Sequence, residues 1–121
     1  GEVVLVAENN PALLRSTALG LERLGYRVLR ARSGREALAR YQDGGEEVSL
    51  LLADVLMPGM GGVDLASALR ARDSELRVVL MSGLFSNGDA EITPGIAVDA
   101  YLLKPFSLEA LAQAVWRALS R

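Results

Sequence analysis

Val48-Ser49-Leu50-Leu51-Leu52-Ala53-Asp54-Val55-Leu56-Met57-Pro58-Gly59-Met60-Gly61-Gly62 sets an apolar run directly against a carboxylate and then a turn. The first six residues read as a buried strand. Pro58 and the glycines that follow cannot continue as helix, so the segment after Asp54 is a loop. A carboxylate at the mouth of a buried strand is a side chain held out for chemistry. Three other apolar runs also end in polar groups: Glu8-Asn9 after residues 3–7, Ser82 after residues 77–81 and Lys104 after residues 100–103.

Working outward, the same alternation repeats. Val3-Val4-Leu5-Val6-Ala7 is a short β-branched run, a strand. Asn10-Pro11 then predicts a helix start, with Asn as cap and Pro at the first helical position. Leu14, Ala18 and Leu21 line its inner face, and Gly25 ends it. Residues 26–31 alternate more weakly and carry Arg27 and Arg30, which suits an edge strand. Ser33 with Glu36 three residues on is a capping box; its helix runs to about Asp43, and Gly44-Gly45 ends it. Gly62 leads into a helix with Leu65, Ala66 and Leu69 facing inward. Ser107 caps a last helix with apolar positions Leu108, Leu111, Ala112, Val115 and Leu119. Between residues 86 and 98 another helix is due. Gly88, Thr93, Pro94 and Gly95 leave only Asp89-Ala90-Glu91-Ile92 for a helical turn, so a short or irregular helix is expected there.

Strands alternating with helices imply a parallel sheet covered on both faces. Ligands of such sheets bind beyond the carboxyl ends of the strands, where the strand order reverses. Glu8, Asn9, Asp54, Ser82 and Lys104 all fall at carboxyl ends, so they converge on one cleft. At 121 residues the chain reads as one domain, residues 1–121, able to bury a core without disulfides. Cysteine and histidine are both absent, which excludes a disulfide framework, the usual zinc site and a phosphohistidine donor in this chain. A net charge of −2 gives no case for nucleic acid as a direct partner. No apolar stretch approaches a membrane span and no signal-peptide pattern is present, so the cytoplasm is the expected location.

Two carboxylates and an amide oxygen at adjacent strand ends suit a hard cation such as magnesium. A lysine and a serine hydroxyl across the cleft suit the spread negative charge of a transferring phosphoryl group. A carboxylate can itself be the nucleophile and form an aspartyl phosphate, and Asp54 is best placed for it. Four pieces carry a resemblance here: residues 5–11, Leu-Val-Ala-Glu-Asn-Asn-Pro; residues 51–62 around Asp54; residues 78–83, Val-Val-Leu-Met-Ser-Gly; and residues 100–106, Ala-Tyr-Leu-Leu-Lys-Pro-Phe. Together, and in this order, they resemble the receiver domain of two-component response regulators across essentially the whole chain. The resemblance implies a flavodoxin-like, doubly wound α/β fold: five parallel strands in the order 2-1-3-4-5 with helices on both faces. It implies that Asp54 accepts a phosphoryl group from a histidine kinase or phosphotransfer protein. Glu8, Asn9, Asp54 and the Leu56 carbonyl would hold magnesium, and Lys104 would pair with the phosphate. Ser82 would turn inward to it while Tyr101 changes rotamer, and Lys104-Pro105 would carry a cis peptide.

Asn9 departs from the family, which usually has a metal-ligating aspartate there. An amide oxygen brings no charge, so weaker metal affinity and slower phosphorylation are expected. The interrupted segment at 86–98 departs too; it looks most like receivers attached to hybrid sensor kinases. Family dimerisation is therefore not carried over, and a monomer is the expectation. An enzyme acting on an external phosphate ester is disfavoured, because such enzymes place a second acid where Leu56 stands. A degenerate receiver serving only as a binding module is the other alternative, and a flavin-binding domain is weaker still. Gly59, Gly61 and Gly62 read as turn formers; Trp116, on the polar side of the last helix, reads as a partly covered ring in preference to a contact surface; and Leu84-Phe85 read equally as loop packing or a kinase contact.

Overall fold

The computed structural model describes residues 1–43, 47–83 and 96–120. Their order is β1 (Val3–Ala7), α1 (Pro11–Arg23), β2 (Arg27–Ala31), α2 (Gly34–Asp43), β3 (Val48–Asp54), α3 (Gly62–Arg70), β4 (Arg77–Ser82), β5 (Ala100–Leu103) and α4 (Leu108–Leu119). The strands form one parallel sheet in the order β2-β1-β3-β4-β5. The order reverses between β1 and β3, as the resemblance implies. The expected helical turn at 89–92, the Gly44-Gly45 stop and Leu84-Phe85 lie outside the described residues.

Strand periodicity separates the core into two halves, one on each side of the sheet. Leu5, Leu51, Val78 and Leu80 pack with Ala37 of α2 and with Leu65, Ala66 and Leu69 of α3. Val4, Val6, Leu50, Leu52, Val79 and Met81 pack with Leu14 and Leu21 of α1 and with Leu111 and Val115 of α4. Because both faces are covered, β1, β3 and β4 are almost wholly apolar and do not alternate. Each fully buried leucine adds roughly 1.5–3 kcal/mol of transfer free energy. That burial holds the strand ends, and so the polar groups on them, at fixed spacing.

The caps follow the sequence with two adjustments. Asn10 Oδ1 accepts from the Ala12 and Leu13 amides at 3.0 and 3.1 Å. Leu24 caps the far end of α1, and Gly25 continues at φ 98°, a conformation that suits glycine. Ser33 Oγ accepts from the Glu36 amide at 3.0 Å, but the Glu36 carboxylate reaches the Arg32 amide at 2.6 Å and not that of Ser33. In α4 the buried positions are Leu111, Ala114, Val115 and Ala118. Leu108 is exposed, a correction to the expected inner face. Leu108 is the first residue of α4, and its side-chain tip lies beside Gly20 of α1 and not in the sheet core.

One position works against stability. Thr17 lies on the buried face of α1, and its hydroxyl has no hydrogen-bond partner among the described residues. A buried hydroxyl without a partner costs about 1–3 kcal/mol. Thr17→Val keeps the branched shape and removes that cost. Urea unfolding is expected to show a gain of about 1 kcal/mol, and a loss of stability would contradict it.

Candidate functional site

Register brings the polar strand ends together. Ala7 pairs with Ala53, so Glu8 and Asp54 are the next neighbours on adjacent strands. Asp54 pairs with Met81 and Ser82 with Leu103, which sets Ser82 and then Lys104 on the other side of Asp54. The Lys104 amide donates to the Ser82 carbonyl at 3.1 Å and the Glu8 amide to the Ala31 carbonyl at 3.1 Å. Backbone pairing thus continues past the side chains and fixes where they start.

Glu8, Asp54 and Ser82 are buried, with Glu8 only 1% exposed. Two carboxylates removed from water need a counter-charge. Lys104 supplies it: Nζ donates to Glu8 Oε1 at 2.8 Å and to Asp54 Oδ2 at 2.5 Å. Burial pulls the Lys104 pKa down, but the hydrogen bonds and charges of Asp54 and Glu8 outweigh this and leave it above the ordinary lysine value. Lys104 is therefore a cation at neutral pH. The other oxygens are held by backbone: the Asn10 amide donates to Glu8 Oε2 at 2.9 Å, and the Leu56 amide to Asp54 Oδ1 at 3.0 Å. Both carboxylate planes are fixed by one side-chain cation and one amide each.

Glu8, Asp54, Lys104 and Ser82 come together as the sequence predicts. The Lys104–Pro105 peptide is cis. Asn9 is exposed beside the pair, and no hydrogen bond engages its side chain among the described residues. The Leu56 side chain is exposed, which leaves only its backbone to serve the site. Tyr101 is 45% exposed, on the outer strand. Trp116 is 66% exposed, so it is a more open ring than the partly covered one expected.

Two contributors escape a reading of the sequence. A Cβ on Gly62 would stand 2.5 Å from the Asp54 carbonyl oxygen, and one on Gly61 2.4 Å from the Val55 carbonyl oxygen. These glycines let the start of α3 press against the backbone of Asp54. Only Gly59, at φ 84°, serves the turn by its conformation. Asp99 is the other: its carboxylate accepts from the Val78 amide at 2.8 Å and pairs with Arg70 at 3.4 Å, tying the approach to β5 onto the start of β4. Nothing in its local sequence marks it, since both partners are distant in the chain.

Comparisons with known proteins agree with this fold. Residues 4–116 match the family model of the response regulator receiver domain. Sensor kinase CckA of Brucella abortus is 35% identical over 98% of this chain and 12% of its own length. The response regulator receiver protein CpdR of the same organism is 32% identical over 96% of this chain and 95% of its own. The chain spans about half or less of the first curated relatives it matches. Among solved structures, the chemotaxis protein CheY4 of Vibrio cholerae superposes with a TM-score of 0.87 at 26% identity, covering 98% of each chain.

Proposed function

This chain belongs to the response regulator receiver family of two-component signalling, and from that premise we propose that Asp54 is its phosphoacceptor and that the domain is a phosphorylation-dependent switch. The observation that carries the reading is the Lys104 ammonium shared between two buried carboxylates at neighbouring strand ends. An Asp54 carboxylate oxygen attacks the phosphorus of a phosphohistidine on a histidine kinase or phosphotransfer protein. The phosphorus–nitrogen bond breaks, the imidazole leaves, and an acyl phosphate forms. The Leu56 amide holds Oδ1 and sets the plane of the attacking group. Lys104 Nζ moves from Asp54 Oδ2 onto a phosphoryl oxygen, where its charge answers the roughly −1.5 to −2 that arrives. The Ser82 hydroxyl donates to a second phosphoryl oxygen, and the outward-lying Tyr101 ring turns toward the space Ser82 leaves.

Magnesium fits the donor set: oxygens from Glu8 and Asp54, the Asn9 amide and the Leu56 carbonyl, with no soft ligand among them. When bound, it would neutralise charge on the transferring group. Asn9 makes the set one charge poorer than a three-carboxylate site. Asn9→Asp is expected to tighten magnesium about tenfold, a difference of ~1.4 kcal/mol, in calorimetric titration. Equal affinities would remove Asn9 as the cause of a weak site.

We propose no turnover of an external substrate, since Leu56 stands where a phosphatase of this type places its second acid. Acetyl phosphate with magnesium is expected to add one phosphoryl group, read by intact mass. No addition, with no response to beryllofluoride, would favour a binding module that is never phosphorylated at Asp54. Among the described residues no helix is long and apolar enough to cross a membrane.

A further inference from the structure

A hollow of about 440 Å³ straddles the free edge of the sheet, between α1 and α2. Its wall carries Arg15 from α1, Arg30 from β2, Arg32 from the turn after it and Arg40 from α2. Glu36 is the one carboxylate among them, and it is committed to the Arg32 amide at 2.6 Å. Arg30 faces Glu22 at 3.8 Å; Arg15, Arg32 and Arg40 have no ion pair among the described residues. Four arginines thus line one concavity of a chain whose net charge is −2. Glu36 and Glu22 offset two of these charges, and a bound anion would answer the remaining excess.

Arginines on an edge strand also prevent pairing with another chain, which accounts for Arg27 and Arg30. It does not account for Arg15 and Arg40, which come from helices on opposite faces of the sheet. The guanidinium fork matches phosphate in two-point hydrogen bonding and stays charged at any ordinary pH. The hollow is the size of a small-molecule site, and Pro11 and Leu14 give it an apolar side. At the other end of the strands a second hollow carries Glu2, Glu47, Asp73 and Glu75 against Arg77, the opposite sign. We propose that the arginine hollow binds a small multiply phosphorylated ligand, independently of phosphorylation at Asp54.

Inorganic tripolyphosphate is the probe, titrated calorimetrically into the Asp54→Asn chain without divalent cation, so that the aspartate site takes no part. Saturable one-to-one binding tighter than about 1 mM is expected at low salt, weakening as salt is raised. Arg15→Gln with Arg40→Gln is expected to weaken it about tenfold or more, as lost charge-assisted hydrogen bonds should. Both arginines are exposed, so the fold survives their loss. Glu2→Gln with Glu75→Gln, in the acidic hollow, is expected to leave affinity unchanged. Lack of saturation, or equal affinity in the arginine variant, would overturn the proposal. Tighter binding of hexaglutamate than of tripolyphosphate would overturn it too, in favour of an acidic polypeptide.

Discussion

Asp54→Asn is expected to reduce incorporation from acetyl phosphate to the background of a sample without protein. The variant keeps the volume of the side chain and a hydrogen-bonding oxygen for the Leu56 amide, so the loop should hold. It loses the nucleophile: an amide does not attack phosphorus at a useful rate, and among the described residues no other carboxylate is both at the strand mouth and beside Lys104 except Glu8. Glu8 lies on the neighbouring strand, with one oxygen on the Asn10 amide and the other on Lys104. Intact mass after incubation checks the result, with circular dichroism to confirm folding. A phosphoryl group of the same stoichiometry in the variant would place the acceptor elsewhere and end the proposed role of Asp54.

The second large effect comes from a residue with no side chain. Gly62→Ala is expected to destabilise the fold by about 1–3 kcal/mol and to weaken beryllofluoride binding as well. Its Cβ would meet the Asp54 carbonyl oxygen at 2.5 Å, the Asp54 carbonyl carbon at 3.0 Å and the Ala53 Cβ at 3.2 Å. These atoms belong to a central, buried strand paired on both sides and cannot retreat. Either α3 moves outward or Asp54 shifts. Gly83→Ala is the control, since among the described residues nothing lies within 4 Å of its Cβ and its φ is not positive. Matching urea midpoints for the two variants would show that α3 gives way freely.

Most of the fold was legible because the sheet is covered on both faces. Continuous apolar runs mark β1, β3 and β4, and each ends in a polar residue that no buried strand would otherwise carry. Boundaries were clear where capping chemistry is local, as at Asn10-Pro11 and Ser107. They blurred where tertiary packing decides. Leu108 fits the helical spacing yet is half exposed, because it stands at the first position of α4, with its tip against Gly20 of α1 and outside the buried core. In the site, Asp54, Glu8, Ser82 and Lys104 announced themselves by position. The shared ammonium did not, since spacing of 50 and 96 residues says nothing about which oxygen a lysine chooses. Gly62 was read as a turn former because a close approach between two backbones leaves no trace in either sequence segment. The arginine hollow was hidden for a similar reason: its members are scattered among acids in the chain and meet only at the sheet edge.

The grip of Lys104 on both carboxylates has one more consequence. A divalent ion seeking those oxygens does not enter against bulk water alone. It must outcompete a tethered rival that the fold keeps at high local concentration and that diffusion cannot carry away. On the proposed reading, metal affinity in this pocket would be governed by how readily the lysine yields, as much as by the ligands that receive the ion.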